Sequence, residues 1–151
     1  MPVQEEAALG HNETYSAVLA AYKVMARKIA EMLSEEGLTQ PQFRALRVVA
    51  KEGRVCMREI SEEMFVTPAN ITGIIDRLES RGLLRRTGRR GDRRATDIEL
   101  TRKGELVQKR VTEKFNDFMQ NALNVFTGEE QRTLRELLVK LQEGMAQTQR
   151  P

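Results

Sequence analysis

The run Asp92-Arg93-Arg94-Ala95-Thr96-Asp97-Ile98-Glu99-Leu100-Thr101 constrains the fold more tightly than any other stretch of the chain. A turn bearing Arg93 and Arg94 opens onto an alternating segment, with Ile98 and Leu100 to one side and Asp97 and Glu99 to the other, and Thr101 starts a new helix. Strict alternation is the mark of a half-buried strand. A second apolar pair, Leu83-Leu84, precedes the turn, so the two segments pair as a hairpin tipped by Arg89, Arg90, Gly91, Asp92, Arg93 and Arg94. That tip carries too much charge to enter a core.

The net charge is only +3, but its distribution is uneven. Residues 1–40 hold three Lys/Arg against six Asp/Glu, residues 41–80 six against six, and residues 111–151 five against six. Residues 81–110 hold eleven against four. The positive excess therefore sits in the hairpin and the start of the next helix. Affinity for a polyanion depends on local neutralisation and counterion release more than on total charge, so this is the pattern of a phosphate-tracking surface. The alternative is a solvated charged turn.

Helical periodicity dominates the remainder. From Asn12 to Leu33, apolar residues at Tyr15, Val18, Leu19, Tyr22, Met25, Ile29, Met32 and Leu33 describe one face of a long helix, which Gly37 stops. Thr39 caps a second helix with Pro41 in its first turn and Phe43, Leu46, Val49 and Ala50 inward, ending at Gly53. Met57 to Met64 is a short third helix with Ile60 and Met64 on its buried side.

The fourth helix has the clearest punctuation. Thr67 is its N-cap, Pro68 its first residue, Ile71, Ile74, Ile75 and Leu78 its inward stripe, and Gly82 its left-handed exit. Ala69, Asn70, Thr72 and Gly73 leave the opposite face low and polar, suited to a major groove where Asn70 and Thr72 hydrogen-bond base edges. Such small residues also suit close packing on another helix. The short junction Phe65-Val66-Thr67 makes helices three and four a helix-turn-helix, which favours the groove. A basic hairpin beside such a helix indicates a DNA-binding winged helix.

After the hairpin, Thr101 to Phe126 reads as a second long helix with Leu106, Val107, Val111, Phe115, Phe118, Met119, Ala122, Leu123 and Phe126 as its apolar positions. Thr127 and Glu130 form a capping box for a last helix carrying Leu134, Leu137, Leu138, Leu141 and Met145. Helices this long extend beyond a small lobe, so their stripes are expected to meet a second copy of the chain in a two-fold dimer. A monomeric bundle with the terminal helices folded back is the alternative. The expected class is mainly α with a small β-hairpin wing: a winged helix-turn-helix lobe over 37–100, with dimerisation helices at 12–34 and 101–148, in a single chain.

Several classes are excluded or disfavoured. No apolar run approaches the roughly 20 residues of a membrane span, and the first residues lack a basic region followed by an apolar one, so a cytoplasmic protein with no membrane partner is expected. One cysteine, Cys56, excludes an internal disulfide, and a single histidine, His11, excludes a His-rich metal site. No Gly-rich phosphate loop, carboxylate or histidine constellation or nucleophile elbow is present, so no catalytic residue, metal ligand or cofactor is assigned and an enzyme is not expected.

The order helix, helix, helix, recognition helix, hairpin, long helix, helix resembles the MarR family of bacterial transcription regulators over about Tyr15 to Met145. Its most specific residues are I-T-G-I-I-D-R-L-E-S-R-G-L-L-R-R at 71–86 and G-D-R-R-A-T-D-I-E-L-T-R-K-G at 91–104. The resemblance implies that a wing arginine, here Arg94 with Arg89, Arg90 and Arg93 as neighbours, enters the minor groove. It implies too that Asp92 orients arginines within the wing and that Thr67, Pro68, Asn70 and Thr72 lie at the major groove. Arg77 lies near the DNA backbone or pairs with a carboxylate of the same chain. The family also implies a homodimer on a palindromic double-stranded operator, and a small aromatic or phenolic effector bound between dimer helices and DNA-binding lobe. A ligand-responsive repressor is the leading function.

Cys56 carries an alternative. It stands at the expected N-cap of the third helix, where the helix terminus favours a thiolate, with Arg54 and Arg58 close in sequence. That permits a thiol-based redox switch, against a half-buried structural thiol. An effector-independent DNA-binding protein is the other alternative.

Overall fold

The computed structural model describes the backbone of residues 2–89 and 92–148, and the side chains of residues 10, 12–88 and 96–147. The order is α1 (Pro2–Glu35), α2 (Gln40–Glu52), β1 (Arg54–Cys56), α3 (Met57–Met64), α4 (Pro68–Ser80), β2 (Leu84–Arg89), β3 (Asp92–Leu100), α5 (Arg102–Leu123) and α6 (Gly128–Thr148). The fold is mostly helical with one small antiparallel sheet, as the sequence predicts. The chain divides into two compact units, Met1–Thr112 and Glu113–Pro151.

The first unit is built around α2, α3 and α4. Leu46, Val49, Ile60, Ile71, Ile75 and Leu78 are fully buried between them, and Leu33 joins this core from the end of α1. Leu84 and Ile98 bring the sheet onto the same core, and Val111 lies buried on α5. Ile74, placed on the inward stripe from sequence, is only half-buried. Each helix boundary has a local cause. Thr39 caps α2 through a reciprocal pair: its hydroxyl accepts from Gln42 N–H (3.4 Å), and the Gln42 side chain accepts from Thr39 N–H (3.0 Å). Gly37 (φ +66) and Gly82 (φ +68) end α1 and α4 in the left-handed region. At both, the next amide reaches back five residues, Leu38 N to Leu33 O (3.0 Å) and Leu83 N to Leu78 O (2.9 Å). This closure directs Leu38 and Leu83 into the core.

The sheet has three strands where the sequence predicts a hairpin alone. Its order is β1-β3-β2, with Val55 opposite Ile98 and Leu84 opposite Leu100. Three residues with one buried side chain are too few to show alternation, so β1 is defined by its pairing partner and has no local signal. Asp97, on the central strand, is buried rather than solvated.

The long helices differ from expectation at their ends. α1 begins at Pro2, ten residues before the expected start at Asn12, because Glu5, Glu6, Ala7, Ala8 and Leu9 are strong helix formers without core periodicity. α5 stops at Leu123 instead of Phe126. In the second unit the Gln131 amide donates to Leu123 O (3.1 Å) and Phe126 O (3.3 Å), satisfying carbonyls that end the helix. α6 then starts from the expected capping box, Thr127 N donating to Glu130 Oε2 (2.7 Å) and Glu130 N to Thr127 Oγ1 (3.3 Å).

Candidate nucleic-acid interface

The surface of interest is assembled from the first turns of α4 and the β2-β3 hairpin. Thr67 has extended backbone (φ −70, ψ 151) and its hydroxyl accepts from Asn70 N–H (3.4 Å), so it is the N-cap and Pro68 the first helical residue. Burial of Ile71, Ile75 and Leu78 turns the other side outward, and Thr67, Pro68, Ala69, Asn70 and Thr72 are all exposed. The Thr72 hydroxyl donates to Pro68 O (2.9 Å), so its proton is held on the helix and its free lone pair faces out as an acceptor. Gly73 is half-buried.

The hairpin supplies the second part. Arg89 ends β2, and Asp92, Arg93 and Arg94 begin β3 on the opposing strand, with the register shifting between Gly88 and Arg89 so that Arg89 faces Asp92. Arg90, like the side chains of Arg89, Asp92, Arg93 and Arg94, lies outside the described residues.

Two ion clusters fix the hairpin base. Arg86 on β2 donates from Nη2 to Asp76 Oδ1 (2.6 Å) and from Nη1 to Glu79, and its N–H donates to Glu79 Oε1 (3.3 Å). Asp76 and Glu79 lie on α4, so this arginine ties the hairpin to the recognition helix. The Asp76 hydrogen bond, aided by both carboxylate charges, raises the Arg86 pKa above its ordinary value. On the sheet, Glu99 accepts from Arg85 (Nε, 2.6 Å) and Arg54 (Nε, 3.0 Å). These bonds, Arg85 first, hold the Glu99 carboxyl below its ordinary range. The sequence reading singles out neither Arg85 nor Arg86, and names Arg54 only as a neighbour of Cys56. Asp76 and Glu79, three apart on one helix face, were the available signal.

Where the base meets α5, Thr101 acts as a junction. Its hydroxyl donates to Gly82 O (2.6 Å) and accepts from Gly104 N (3.0 Å), while its own N–H donates to Leu83 O (3.1 Å). Lys103 Nζ donates to Arg81 O (2.8 Å), and Arg81 Nη1 to Gly37 O (2.6 Å). The end of α4 is thereby held from two sides.

Arg77 is exposed, and its side chain has no hydrogen bond or ion pair among the described residues. Among the described residues, the arginine that pairs with the α4 carboxylates Asp76 and Glu79 is Arg86. Cys56 is a half-buried free thiol at the N-cap of α3, its N–H donating to Glu59 Oε2 (2.8 Å). The arginines near it in sequence are engaged, Arg54 with Glu99 (2.9 Å) and Arg58 with Glu62 (3.4 Å). An open groove of about 600 Å³ lies between α2, α3 and the start of α5, lined by Arg44, Arg47, Lys51, Glu63, Met64 and Gln108. Among the described residues, no cluster of His, Cys, Asp or Glu is arranged to hold a metal ion, and no helix is long and apolar enough to cross a membrane.

A helix-turn-helix whose second helix is flanked by a sheet-borne basic hairpin defines a winged helix-turn-helix DNA-binding protein. Residues 36–95 match the family model described as MarR family. The chain is 30% identical over 122 residues to the HTH-type transcriptional regulator YsmB of Bacillus subtilis, covering 81% of this chain and 84% of that protein. It is likewise 30% identical over 122 residues to the HTH-type transcriptional repressor MdtR of the same organism, covering 81% and 79%. A crystal structure of a MarR-like transcription regulator from Bacillus cereus superposes with a TM-score of 0.79 at 29% identity, over 90% of this chain and 98% of that one. The protein belongs to the MarR family of HTH-type transcriptional regulators and binds DNA.

Proposed function

We propose that this regulator is a ligand-responsive repressor acting in the cytoplasm as a homodimer on an inverted-repeat operator. The observation that carries the reading is the Arg86 clamp: it ties an arginine-bearing hairpin to α4, the helix whose first turns are exposed, so one protomer offers a groove-reading helix and a cationic wing as a unit. In this reading Thr67, Pro68, Asn70 and Thr72 meet major-groove base edges and phosphates. Arg94 enters the minor groove, with Arg89, Arg90 and Arg93 tracking phosphates, Asp92 ordering the wing and Arg77 reaching the backbone.

Homodimerisation is supported by what one chain leaves uncovered. Tyr15 (65%) and Tyr22 (59%) on α1 and Leu137 (58%) and Met145 (63%) on α6 are exposed although they lie on apolar stripes. Contiguous apolar faces of this kind call for a partner. We therefore assign residues 12–34 and 101–148 to dimerisation and 37–100 to the DNA-binding lobe. Two recognition helices related by a two-fold axis call for half-sites about 10 base pairs apart. Repression is supported by similarity to the repressor MdtR. Effector binding, by a small aromatic or phenolic molecule, is supported by the groove, whose volume suits a small molecule.

Selection of bound genomic fragments with the purified protein should yield an inverted repeat, and sedimentation should give twice the mass of one chain. Arg94→Ala is expected to weaken operator binding at least about tenfold, with mass and melting temperature unchanged. A gel-shift titration identical to that of the parent refutes the assignment.

A further inference from the structure

Three helices of the first unit end in the same closure. At the ends of α1 and α4 the left-handed residue is glycine, Gly37 and Gly82. At the end of α3 it is Phe65, with φ 54 and ψ 44, its amide donating to Glu62 O (3.2 Å) and the next amide, Val66 N, to Ser61 O (3.1 Å). It is the one residue other than glycine with positive φ among the described residues. A side chain with a Cβ is strained there, and glycine escapes that strain.

Among the described residues, no side-chain packing offsets the strain. The Phe65 ring is 93% exposed, more than any other large apolar side chain among the described residues. Its surroundings do not form a protein-docking patch. Val66 is half-buried, Thr67 and Asn70 are polar, and the other uncovered large apolar residues lie on α1, α5 and α6 and in the α5-α6 turn. Phe65 is thus an isolated aromatic on a polar strip, two residues before the N-cap of the recognition helix. The nearby acids do not oppose a polyanion strongly, since Glu62 pairs with Arg58 (3.4 Å) and Glu63 with Lys51 (3.8 Å).

We infer that Phe65 is a DNA-contacting residue, its ring packing against an apolar edge of the operator duplex at the mouth of the major groove beside Thr67 and Asn70. Two duplex groups offer such an edge, the 5-methyl of thymine and the face of a deoxyribose, and phenylalanine packs on the former in direct readout. The inference rests on the DNA-binding surface assigned above. It explains why a strained, solvated aromatic occupies a position that glycine fills at the two other exits.

Phe65→Gly separates stability from binding. With the operator recovered by genomic selection, the variant should bind about tenfold more weakly. Its melting temperature should be equal to the parent's or higher by up to about 4 °C. The dependence of log Kd on log salt should keep its slope, because no cation is lost. Phe65→Asn, which tolerates the left-handed region without an apolar ring, should behave alike. Replacing operator thymines one at a time by deoxyuridine identifies the edge. A replacement that weakens the parent and not the variant assigns the methyl, and uniform insensitivity assigns the deoxyribose. Affinity within twofold of the parent overturns the inference, as does a fall in melting temperature, which makes Phe65 a folding residue. Unchanged affinity with a reduced oligomer mass makes it a protein contact. If the parent binds no duplex at low salt, the DNA-binding surface itself fails, a result distinct from equal binding by parent and variant.

Discussion

Gly104→Ala tests the junction between wing base and α5 with a single methyl group. Gly104 is buried in the first turn of α5, against the backbone of Leu83. A Cβ built there falls 2.9 Å from the Leu83 carbonyl carbon, closer still to its oxygen, and 3.1 Å from Leu100 Cδ2. The carbonyl cannot turn away. Leu83 is 1% exposed, its N–H is bonded to Leu78 O (2.9 Å), and its oxygen accepts from Thr101 N (3.1 Å). Relief therefore requires α5 to lift by about 1 Å, enough to break the Thr101 bond. Overpacking of this kind costs about 1–3 kcal/mol or more, and the lost backbone bond about 1 kcal/mol. Alanine returns about 1 kcal/mol of helix propensity over glycine. The net destabilisation is about 1–3 kcal/mol, a substantial share of the 5–15 kcal/mol typical of a folded domain. At about 2–4 °C per kcal/mol for a chain of this size, the melting temperature should fall by roughly 2–12 °C. Circular-dichroism melts and urea titrations measure it. Gly144→Ala on α6 is the control: its Cβ meets nothing within 4 Å, and the substitution should stabilise by about 0.5–1 kcal/mol. A Gly104→Ala variant as stable as the parent refutes the close-approach argument.

Two further outcomes test the ion clusters. Arg86→Ala should destabilise by about 1 kcal/mol, a figure discounted because the side chain is a third exposed. A double-mutant cycle with Glu79→Gln should return coupling of about 0.5 kcal/mol, and additive effects would show that no clamp exists. Glu99 has a folded pKa held below its ordinary value of 4.5 by Arg85 and Arg54. Its stabilising contribution is present above that value and is lost as pH falls through the lower folded value. The stability gap between parent and Glu99→Gln, read by urea titration, should be constant from pH 7 to about 5 and close on further acidification. A gap that does not narrow at all below pH 4.5 contradicts the assignment.

What the sequence reveals divides by range. The start of α4 at Thr67 and Pro68, its exit at Gly82 and the Thr127–Glu130 box are chemistry within four residues, and the structure reproduces each. β1 exists because Val55 faces Ile98, 43 positions away, and no local pattern announces it. The end of α5 is set by Gln131 reaching back over the turn, which makes the helix shorter than its apolar stripe. The same division holds at the interface. The polar face of α4 and the charge of the hairpin are legible. The clamp is not, because Arg86 finds its carboxylates seven and ten positions upstream on a different element. Phe65 marks a turn, but its left-handed backbone and full exposure emerge only once Met64 and Val66 are placed. For Cys56, proximity in sequence to Arg54 and Arg58 misleads, since both guanidinium groups point to glutamates.

These contacts also define how a signal could travel within the first unit. The end of α4 is bonded forward to α5 through Thr101 and Lys103, and sideways to the α1-α2 turn through Arg81 and Gly37 O. That turn is bonded to α5 in its own right, Arg110 Nη2 to Glu36 Oε2 at 2.7 Å. Glu36 keeps only 10% of its side-chain surface exposed, so this pair is less screened than the others on the surface. Because Arg86 adds the wing to α4, displacement of α1 or the first turns of α5 carries recognition helix and wing together and does not alter the spacing between them. On the function proposed above, a homodimer with an effector in the groove lined by Arg44, Arg47 and Gln108, the effector has one economical way to weaken DNA binding. It must favour a different placement of the whole lobe relative to its symmetry mate, and it can do so only by as much as it binds that placement more tightly.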